Sequence, residues 1–260
     1  MRIGLIGCGN IGTFLLETIN SGRAFPECSI DAVFEGRSKD LSPLAEMYGM
    51  EIYQDFTAFL NSGIDLVIEA ATVQVVEEYG PIIVGNGKDL LIVSVGALGD
   101  SALHDRLKTL CEKHGAKVFI PSGAIGGLDI LKAANSINQL DSVSITTRKP
   151  PKSLGEETLT KEKVIFKGPA SEAIKRFPKN INVSIILSLA GLGGQETEVQ
   201  IIADPKVEKN IHLIEAMGAF GRVEVMVENE PMPDNPKTSY LAALSVLSTL
   251  KNRKETILLG

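Results

Sequence analysis

Residues 2–12 read RIGLIGCGNIG, an apolar run that leads into three glycines with the spacing Gly-x-Gly-x-x-Gly. In this pattern Gly7 allows a tight turn after a strand, and Gly9 lets the backbone approach a pyrophosphate. Gly12 lets the following helix, predicted from Ile11 to Asn20, lie close to the strand. The helix N-terminus would hold the phosphates with its N–H groups and its dipole. We predict a dinucleotide-binding loop rather than a tight turn without a ligand. Its expected cofactor contacts are Gly7, Gly9, Asn10, Ile11 and Gly12.

An acidic residue follows at the end of the next predicted strand, Ser29–Glu35. Glu35 lies 23 residues beyond Gly12, which is close to the spacing of a carboxylate that binds ribose hydroxyls. Such a carboxylate repels the 2′-phosphate of NADP, whereas the nearby Arg37 could hold it. We therefore expect both residues to contact the cofactor and NAD to bind, and we leave open whether NADP is also accepted.

The first 120 residues alternate between apolar runs and helical stretches. Pro43 suits the first turn of one helix, and Gly115 suits the end of another. Because buried parallel strands are mostly apolar, the alternation predicts an α/β fold with a doubly wound parallel sheet, the Rossmann arrangement. The predicted strands are Arg2–Gly7, Ser29–Glu35, Ile64–Ala70, Leu90–Val95 and Lys117–Ile120.

This rhythm breaks at the glycine-rich segment PSGAIGG, residues 121–127. Beyond it, residues 142–148 and 223–227 resemble strands of a different sheet, and the alternating valines of the second run indicate an antiparallel strand with one buried face. Residues 169–193 and the tail from Thr238 to Leu250 have helical patterns. We predict a dinucleotide-binding domain over residues 1–120, completed by a C-terminal helix over 237–252. Residues 121–236 are predicted to form a second, α+β domain.

The bulk composition restricts the class of protein. The net charge of −6 argues against a nucleic-acid partner. The sequence has no apolar run of about 18 residues and no expected signal peptide, so we expect no membrane association. Three scattered cysteines without a C-x-x-C pair fit a cytoplasmic protein without disulfides or a zinc site, and we expect no metal. Cys8, inside the glycine loop, is interpreted as a small filler.

The three histidines are the candidates for acid–base chemistry. His104 lies in a polar helical stretch and is interpreted as solvated, and His114 suits the last turn of a helix as a dipole partner. His212 lies between apolar neighbours on a predicted strand. The residues alone favour a structural histidine there and leave a catalytic role open.

Several segments in one order make the chain resemble L-aspartate dehydrogenases over essentially its whole length. They are residues 7–12, 69–71 (EAA), 94–97 (SVGA), 121–129, 147–151 (TRKPP), 180–183 (NINV), the strand of His212 and residues 235–239 (NPKTS). The segment Glu35-Gly36-Arg37 departs from the Asp-based ribose site that we would expect, which bears on the choice between NAD and NADP. The resemblance implies oxidation of L-aspartate to iminosuccinate with NAD(P), catalysis by His212, nicotinamide contacts from Ala124 and Asn182, and a homodimer that forms through the second domain.

The substrate of such an enzyme carries two carboxylates, which need cations or N–H donors. Arg148, Lys149 and Lys237 are candidates, although each could equally be a surface charge. Asn182 could also cap the apolar helix that it begins. Two alternatives remain open: a homoserine- or dihydrodipicolinate-type oxidoreductase, and a non-catalytic NAD(H) sensor that needs no acid–base residue.

Overall fold

The computed structural model describes residues 1–22, 24–36, 40–156, 158–177, 182–232 and 235–257, with the backbone alone described at 235–237. These residues form two compact units. The first comprises Met1–Pro121 and Val246–Thr256, and the second comprises Ser122–Ser245 with the residues from Ile257 onward.

The first unit contains a parallel sheet of six strands in the order β3-β2-β1-β4-β5-β6. The strands are β1 Arg2–Ile6, β2 Ser29–Phe34, β3 Glu51–Tyr53, β4 Leu66–Glu69, β5 Asp89–Ile92 and β6 Val118–Phe119. The order reverses direction beside β1, where doubly wound sheets bind their ligands at the carboxyl ends of the strands. The helices are α1 Asn10–Asn20, α2 Ser42–Tyr48, α3 Phe56–Leu60, α4 Val73–Gly85 and α5 Ser101–His114, with a 3₁₀ turn at Val95–Gly99.

Sequence signals explain several of these boundaries. Asp55 and Thr72 are the N-cap residues of α3 and α4, and each side chain accepts a hydrogen bond from a backbone N–H of the first turn. Gly115 ends α5 in the left-handed conformation, as predicted. The fully buried Ile3, Leu5, Ile30 and Leu66 form part of the core between β1, β2, β4 and α1.

The second unit contains a mixed sheet of five strands in the order β11-β10-β7-β9-β8 and a two-stranded sheet. Its strands are β7 Leu140–Lys149, β8 Lys163–Pro169, β9 Thr197–Ala203, β10 Asn210–Gly218, β11 Gly221–Asn229, β12 Pro231–Met232 and β13 Asn235–Ser239. Its helices are α6 Leu128–Asn135, α7 Ala170–Arg176, α8 Asn182–Ala190 and α9 Gly193–Glu196, with a 3₁₀ turn at Pro151–Leu154. The last helix, α10 Tyr240–Asn252, begins in the second unit and ends in the first. Strands β7 and β9 are parallel, and the other pairs in this sheet are antiparallel.

The predicted fold class, a doubly wound parallel sheet with a second α+β domain, is confirmed. The prediction of a helix from residue 237 was wrong, because residues 235–239 form β13 and pair with β12. Pro236 disfavours helical backbone at Asn235, and the helix begins only at Tyr240. Its second half, from Val246, is part of the first unit and contributes Val246, Leu247 and Leu250 to the core of that unit.

Candidate active site

The glycine loop of the first unit has the geometry of a phosphate-binding turn. Gly7 follows β1 with a φ of 89°, a conformation that L side chains rarely adopt. A Cβ at Gly12 would lie 2.1 Å from the carbonyl oxygen of Gly7, so α1 can approach β1 only with glycine there. A Cβ at Gly9 would meet no protein atom within 4 Å. Gly9 is the N-cap residue of α1 and provides no side-chain cap, so the N–H groups at the N-terminus of α1 can bind a ligand.

Glu35 lies beside this loop, directly after β2, and its Oε2 accepts a hydrogen bond of 3.1 Å from the backbone N–H of Cys8. A cavity of about 330 Å³ opens between Glu35, the glycine loop and residues 70–72. The residues present therefore fit a dinucleotide, since a glycine turn, an uncapped helix N-terminus and a carboxylate line one cavity. Arg37 lies outside the described residues. Cys8 is buried, in keeping with a filler.

A buried carboxylate supports the other wall of the cavity. Glu69, at the end of β4, is 1% exposed. Its Oε1 accepts hydrogen bonds from the N–H of Ala71 at 2.7 Å and the hydroxyl of Ser94 at 2.8 Å, and its Oε2 accepts one from the N–H of Ser94 at 3.0 Å. Burial raises the pKa of the Glu69 carboxyl, and these donors oppose that shift. Glu69 thus ties the loop after β4 to the segment after β5.

His212 belongs to the second unit and lies on β10. Its side chain is 3% exposed, and its Nδ1 lies 2.9 Å from Oγ1 of Thr147, the residue directly opposite on β7. Burial and, to a smaller extent, the charge of Lys149 together lower the pKa of His212 from 6.5 to about 4. The imidazole is therefore neutral at physiological pH and able to accept a proton.

Lys149 and Arg148 are neighbours on β7 but face opposite sides of the sheet, because successive side chains of a strand alternate. Lys149 lies on the same face as Thr147 and is 8% exposed, and burial lowers the pKa of its ammonium group to about 8. Arg148 forms ion pairs on the other face, at 2.6 Å with Glu162 and 2.8 Å with Asp204. Only Lys149 of this pair lies near His212.

Two hydrogen bonds within the second unit hold the backbone of the glycine-rich segment, at Gly123 and Ala124. The side-chain amide of Asn229, at the end of β11, donates a hydrogen bond of 3.1 Å to the carbonyl of Ala124. The hydroxyl of Ser245 accepts one of 3.0 Å from the N–H of Gly123. Asn229 is 3% exposed, and its Oδ1 has no hydrogen-bond partner among the described residues. These bonds fix the backbone at Ala124.

The remaining candidates are Asn182, Lys237 and the other two histidines. Asn182 is exposed at the start of α8. Lys237 lies on β13, and its side chain is outside the described residues. His104 is partly exposed beside Asp105, at 3.3 Å, and His114 is exposed in the last turn of α5, as predicted for both.

The described residues include neither a metal-binding cluster nor a membrane-spanning helix. No group of three or more His, Cys, Asp or Glu side chains there is arranged to hold a metal ion. Within the same ranges, every helix is too short or too polar to cross a membrane.

Comparison with known proteins connects this geometry to a family. The chain shares 45% identity with the L-aspartate dehydrogenase of Methanospirillum hungatei, over 100% of this chain and 99% of that protein. It shares 40% identity with the L-aspartate dehydrogenase of Nitrosopumilus maritimus, over 96% of this chain and 95% of that protein. The chain belongs to the L-aspartate dehydrogenase family.

The domain matches and a crystal structure agree with this membership. Residues 129–253 match the family described as "Aspartate dehydrogenase, C-terminal", and residues 7–121 match "Homoserine dehydrogenase, NAD binding domain". The crystal structure of aspartate dehydrogenase from Thermotoga maritima superimposes with a TM-score of 0.82 at 33% identity, covering 100% of this chain and 99% of that one. As a member of the L-aspartate dehydrogenase family, the protein is an oxidoreductase that uses a nicotinamide cofactor and acts on a small molecule.

Three residues of these sites were not predicted from the sequence: Glu69, Thr147 and Asn229. Glu69 and Thr147 lie within segments that carry the family resemblance, but their roles depend on partners far along the chain. A buried polar residue in an apolar strand was the available signal at Glu69, which follows Leu66-Val67-Ile68. No comparable signal distinguished Asn229.

Proposed function

We propose that the protein oxidises L-aspartate to iminosuccinate, with reduction of NAD⁺ to NADH and release of a proton. Iminosuccinate hydrolyses to oxaloacetate and ammonia, or is passed to quinolinate formation in the biosynthesis of NAD. The observation that carries the proposal is the buried, neutral imidazole of His212 beside Lys149 in a chain related over its full length to L-aspartate dehydrogenases. Oxidation of L-aspartate requires a group that accepts a proton and a cation that binds a carboxylate, and His212 and Lys149 are the candidates for these two roles.

His212 is the proposed base. The amine of aspartate must lose its extra proton before hydride can leave Cα, and a neutral histidine can accept that proton. When bound, the nicotinamide ring accepts the hydride. The low pKa of His212 in the chain alone reflects burial and the neighbouring ammonium group. A substrate with two carboxylates would add negative charge nearby and raise that pKa toward the range of an effective base.

Lys149 is the proposed partner of a substrate carboxylate, because it places a buried ammonium group on the face of His212, where a charge-assisted hydrogen bond to a carboxylate can form. Arg148 is left out of the proposed site, since it lies on the opposite face and already pairs with two carboxylates. Lys237 remains a prediction from the sequence.

Cofactor binding is assigned to the first unit, through Gly7, Gly9, Asn10, Ile11, Gly12 and Glu35. The carboxylate of Glu35 favours NAD over NADP, because it would repel a 2′-phosphate. Arg37 is retained as a sequence-based candidate that would allow NADP. Ala124 and Asn182 are proposed to contact the nicotinamide, as the family resemblance implies. The second unit is proposed to bind the substrate and to form a homodimer, in the cytoplasm.

A steady-state assay of reduced nicotinamide tests the proposal, with L-aspartate and L-homoserine each offered with NAD⁺ and with NADP⁺. We expect turnover with L-aspartate and not with homoserine, and a higher kcat/KM with NAD⁺. His212→Ala should lower kcat by at least about 100-fold, the scale of acid–base catalysis, without raising the KM for NAD⁺. His104→Ala, which removes an exposed histidine of α5, is the matched control and should keep native turnover.

The alternatives predict different results. In the same assay, turnover of homoserine alone would overturn the aspartate proposal in favour of a homoserine-type enzyme. In a separate reaction with NADH or NADPH, reduction of a dihydrodipicolinate, without turnover of L-aspartate, would indicate the related reductase class. Cofactor binding without turnover of any of these compounds would indicate an NAD(H) sensor. Native turnover in His212→Ala would show that another residue is the base.

A further inference from the structure

The hydroxyl of Thr147 lies within hydrogen-bonding distance of one ring nitrogen of His212, Nδ1. Register places the two residues directly opposite each other on antiparallel strands β7 and β10. Their side chains share one face of the sheet, and Oγ1 lies 2.9 Å from Nδ1. Both residues are 3% exposed, so water does not compete for this hydrogen bond.

We propose that Thr147 is a positioning residue that accepts a hydrogen bond from Nδ1–H of His212 and so holds the imidazole in the tautomer whose Nε2 carries the lone pair. This inference rests on the proposed function of His212 as a base. A base must present an unprotonated nitrogen to the substrate, and with Nδ1 bonded to Thr147 that nitrogen is Nε2.

The same contact serves both protonation states. When Nε2 takes the proton of the substrate amine, the ring becomes an imidazolium whose Nδ1–H still donates to Oγ1 of Thr147. That bond is stronger when the donor is charged, so Thr147 stabilises the form of His212 that appears as the reaction proceeds. The neutral hydroxyl does this without adding a second buried charge, which a carboxylate in its place would do.

The neighbours of His212 support this assignment. On β11, the residue opposite His212 is Val227, which has no hydrogen-bonding group in its side chain. On β7, Lys149 lies two residues from Thr147 and is the charged group that acts on the pKa of His212. Lys149 disfavours the imidazolium, whereas Thr147 favours it. On this assignment, burial and Lys149 lower the basicity of His212, and Thr147 opposes that change.

The experiment compares Thr147→Val, which keeps the shape but loses the acceptor, with Thr147→Ser, which keeps the hydroxyl. We expect Thr147→Val to lower kcat for L-aspartate by about tenfold to a hundredfold, the cost of leaving a buried donor without its partner. The acidic limb of the pH profile of kcat/KM should move to lower pH, because the imidazolium has lost its acceptor. Thr147→Ser should restore both toward the wild type.

Thr146→Val is the matched control, since Thr146 is the neighbouring threonine on β7 and faces the other side of the sheet. It should leave turnover and the pH profile unchanged. A merely structural role for Thr147 predicts instead that Thr147→Val lowers the melting temperature with no shift of the pH profile. An unshifted profile in Thr147→Val would therefore overturn the inference.

A second measurement needs no substrate and no variant of Thr147. Long-range ¹H–¹⁵N spectra of the wild-type protein resolve the ring nitrogens of its three histidines, and His212→Gln assigns the signal of His212. We expect a protonated Nδ1 and an unprotonated Nε2 at neutral pH. A protonated Nε2 would overturn the inference even if L-aspartate is the substrate. The expected tautomer would support it even if aspartate oxidation fails, so the two failures are distinguishable.

Discussion

Replacing Lys149 by methionine should stabilise the protein and impair its activity. Lys149 is 8% exposed, and its burial lowers the pKa of the ammonium group from 10.5 to about 8. A lowered lysine pKa means that the folded state holds the proton less tightly than the unfolded state. At neutral pH the folded protein nevertheless keeps this lysine charged. The charged, buried ammonium group therefore destabilises the folded state relative to the unfolded state at neutral pH.

The size of the effect follows from the pKa shift, since one pKa unit corresponds to about 1.4 kcal/mol. At pH 7 the shift to about 8 amounts to about 3 kcal/mol of lost stability, an upper value for what methionine could recover. The unfolded state binds more protons than the folded state between pH 8 and 10.5, so stability rises with pH across that window. The advantage of methionine should therefore shrink to about half by pH 9.5.

The assay is urea unfolding followed by circular dichroism, because the chain has no tryptophan to report by fluorescence. Lys149→Met is compared with the wild type at pH 7 and at pH 9.5. Lys132→Met, which changes an exposed lysine of α6, is the control and should have little effect at either pH. The KM of Lys149→Met for L-aspartate should rise at least about tenfold, as expected when a charge-assisted bond is lost. Equal stability of Lys149→Met and wild type at pH 7, or a gain that does not depend on pH, would refute the reasoning.

Two further predictions concern acid sensitivity and the glycine loop. Because the pKa of His212 is lowered from 6.5 to about 4, the unfolded state binds more protons between those values, and stability falls as pH drops through this window. Between pH 7 and pH 4.5, the free energy of unfolding measured with urea should therefore fall by about 2 to 3 kcal/mol less in His212→Gln than in the wild type. An equal fall in the two proteins would contradict this prediction. Gly9→Ala places its Cβ in open space and should keep the native melting temperature while weakening NADH binding about tenfold or more in a fluorescence titration. In Gly12→Ala the new Cβ would strike the carbonyl of Gly7, so this variant should have a lower melting temperature in addition to weaker NADH binding. Native NADH affinity in Gly9→Ala would show that the cofactor does not approach this loop.

Much of the fold could be predicted from the sequence, because the period of its apolar residues follows secondary structure. The long apolar runs that form β1, β2 and β4 were identified to within two residues at each end. Strand β3 was missed, since Glu51–Tyr53 is too short to show a pattern. Strands β8 and β9 were also missed, because their pairing with distant partners, rather than local periodicity, makes them strands.

The candidate site was less predictable, since it depends on contacts between distant residues. Thr147 and His212 are 65 residues apart, and only the register of β7 and β10 brings them together. By contrast, the opposite orientations of Arg148 and Lys149 could have been predicted, because side chains alternate along a strand. The sequence could not show which of the two faced His212 until the partner strand was known.

Transfer of the Cα hydrogen tests the central claim most directly. The measurement uses L-aspartate deuterated at Cα, with NAD⁺, and mass spectrometry of the reduced cofactor. If the protein oxidises L-aspartate by hydride transfer, the deuterium should appear in the reduced nicotinamide, and the rate should fall relative to unlabelled substrate. Reduced cofactor without deuterium, or no reduction by L-aspartate at all, would contradict the account.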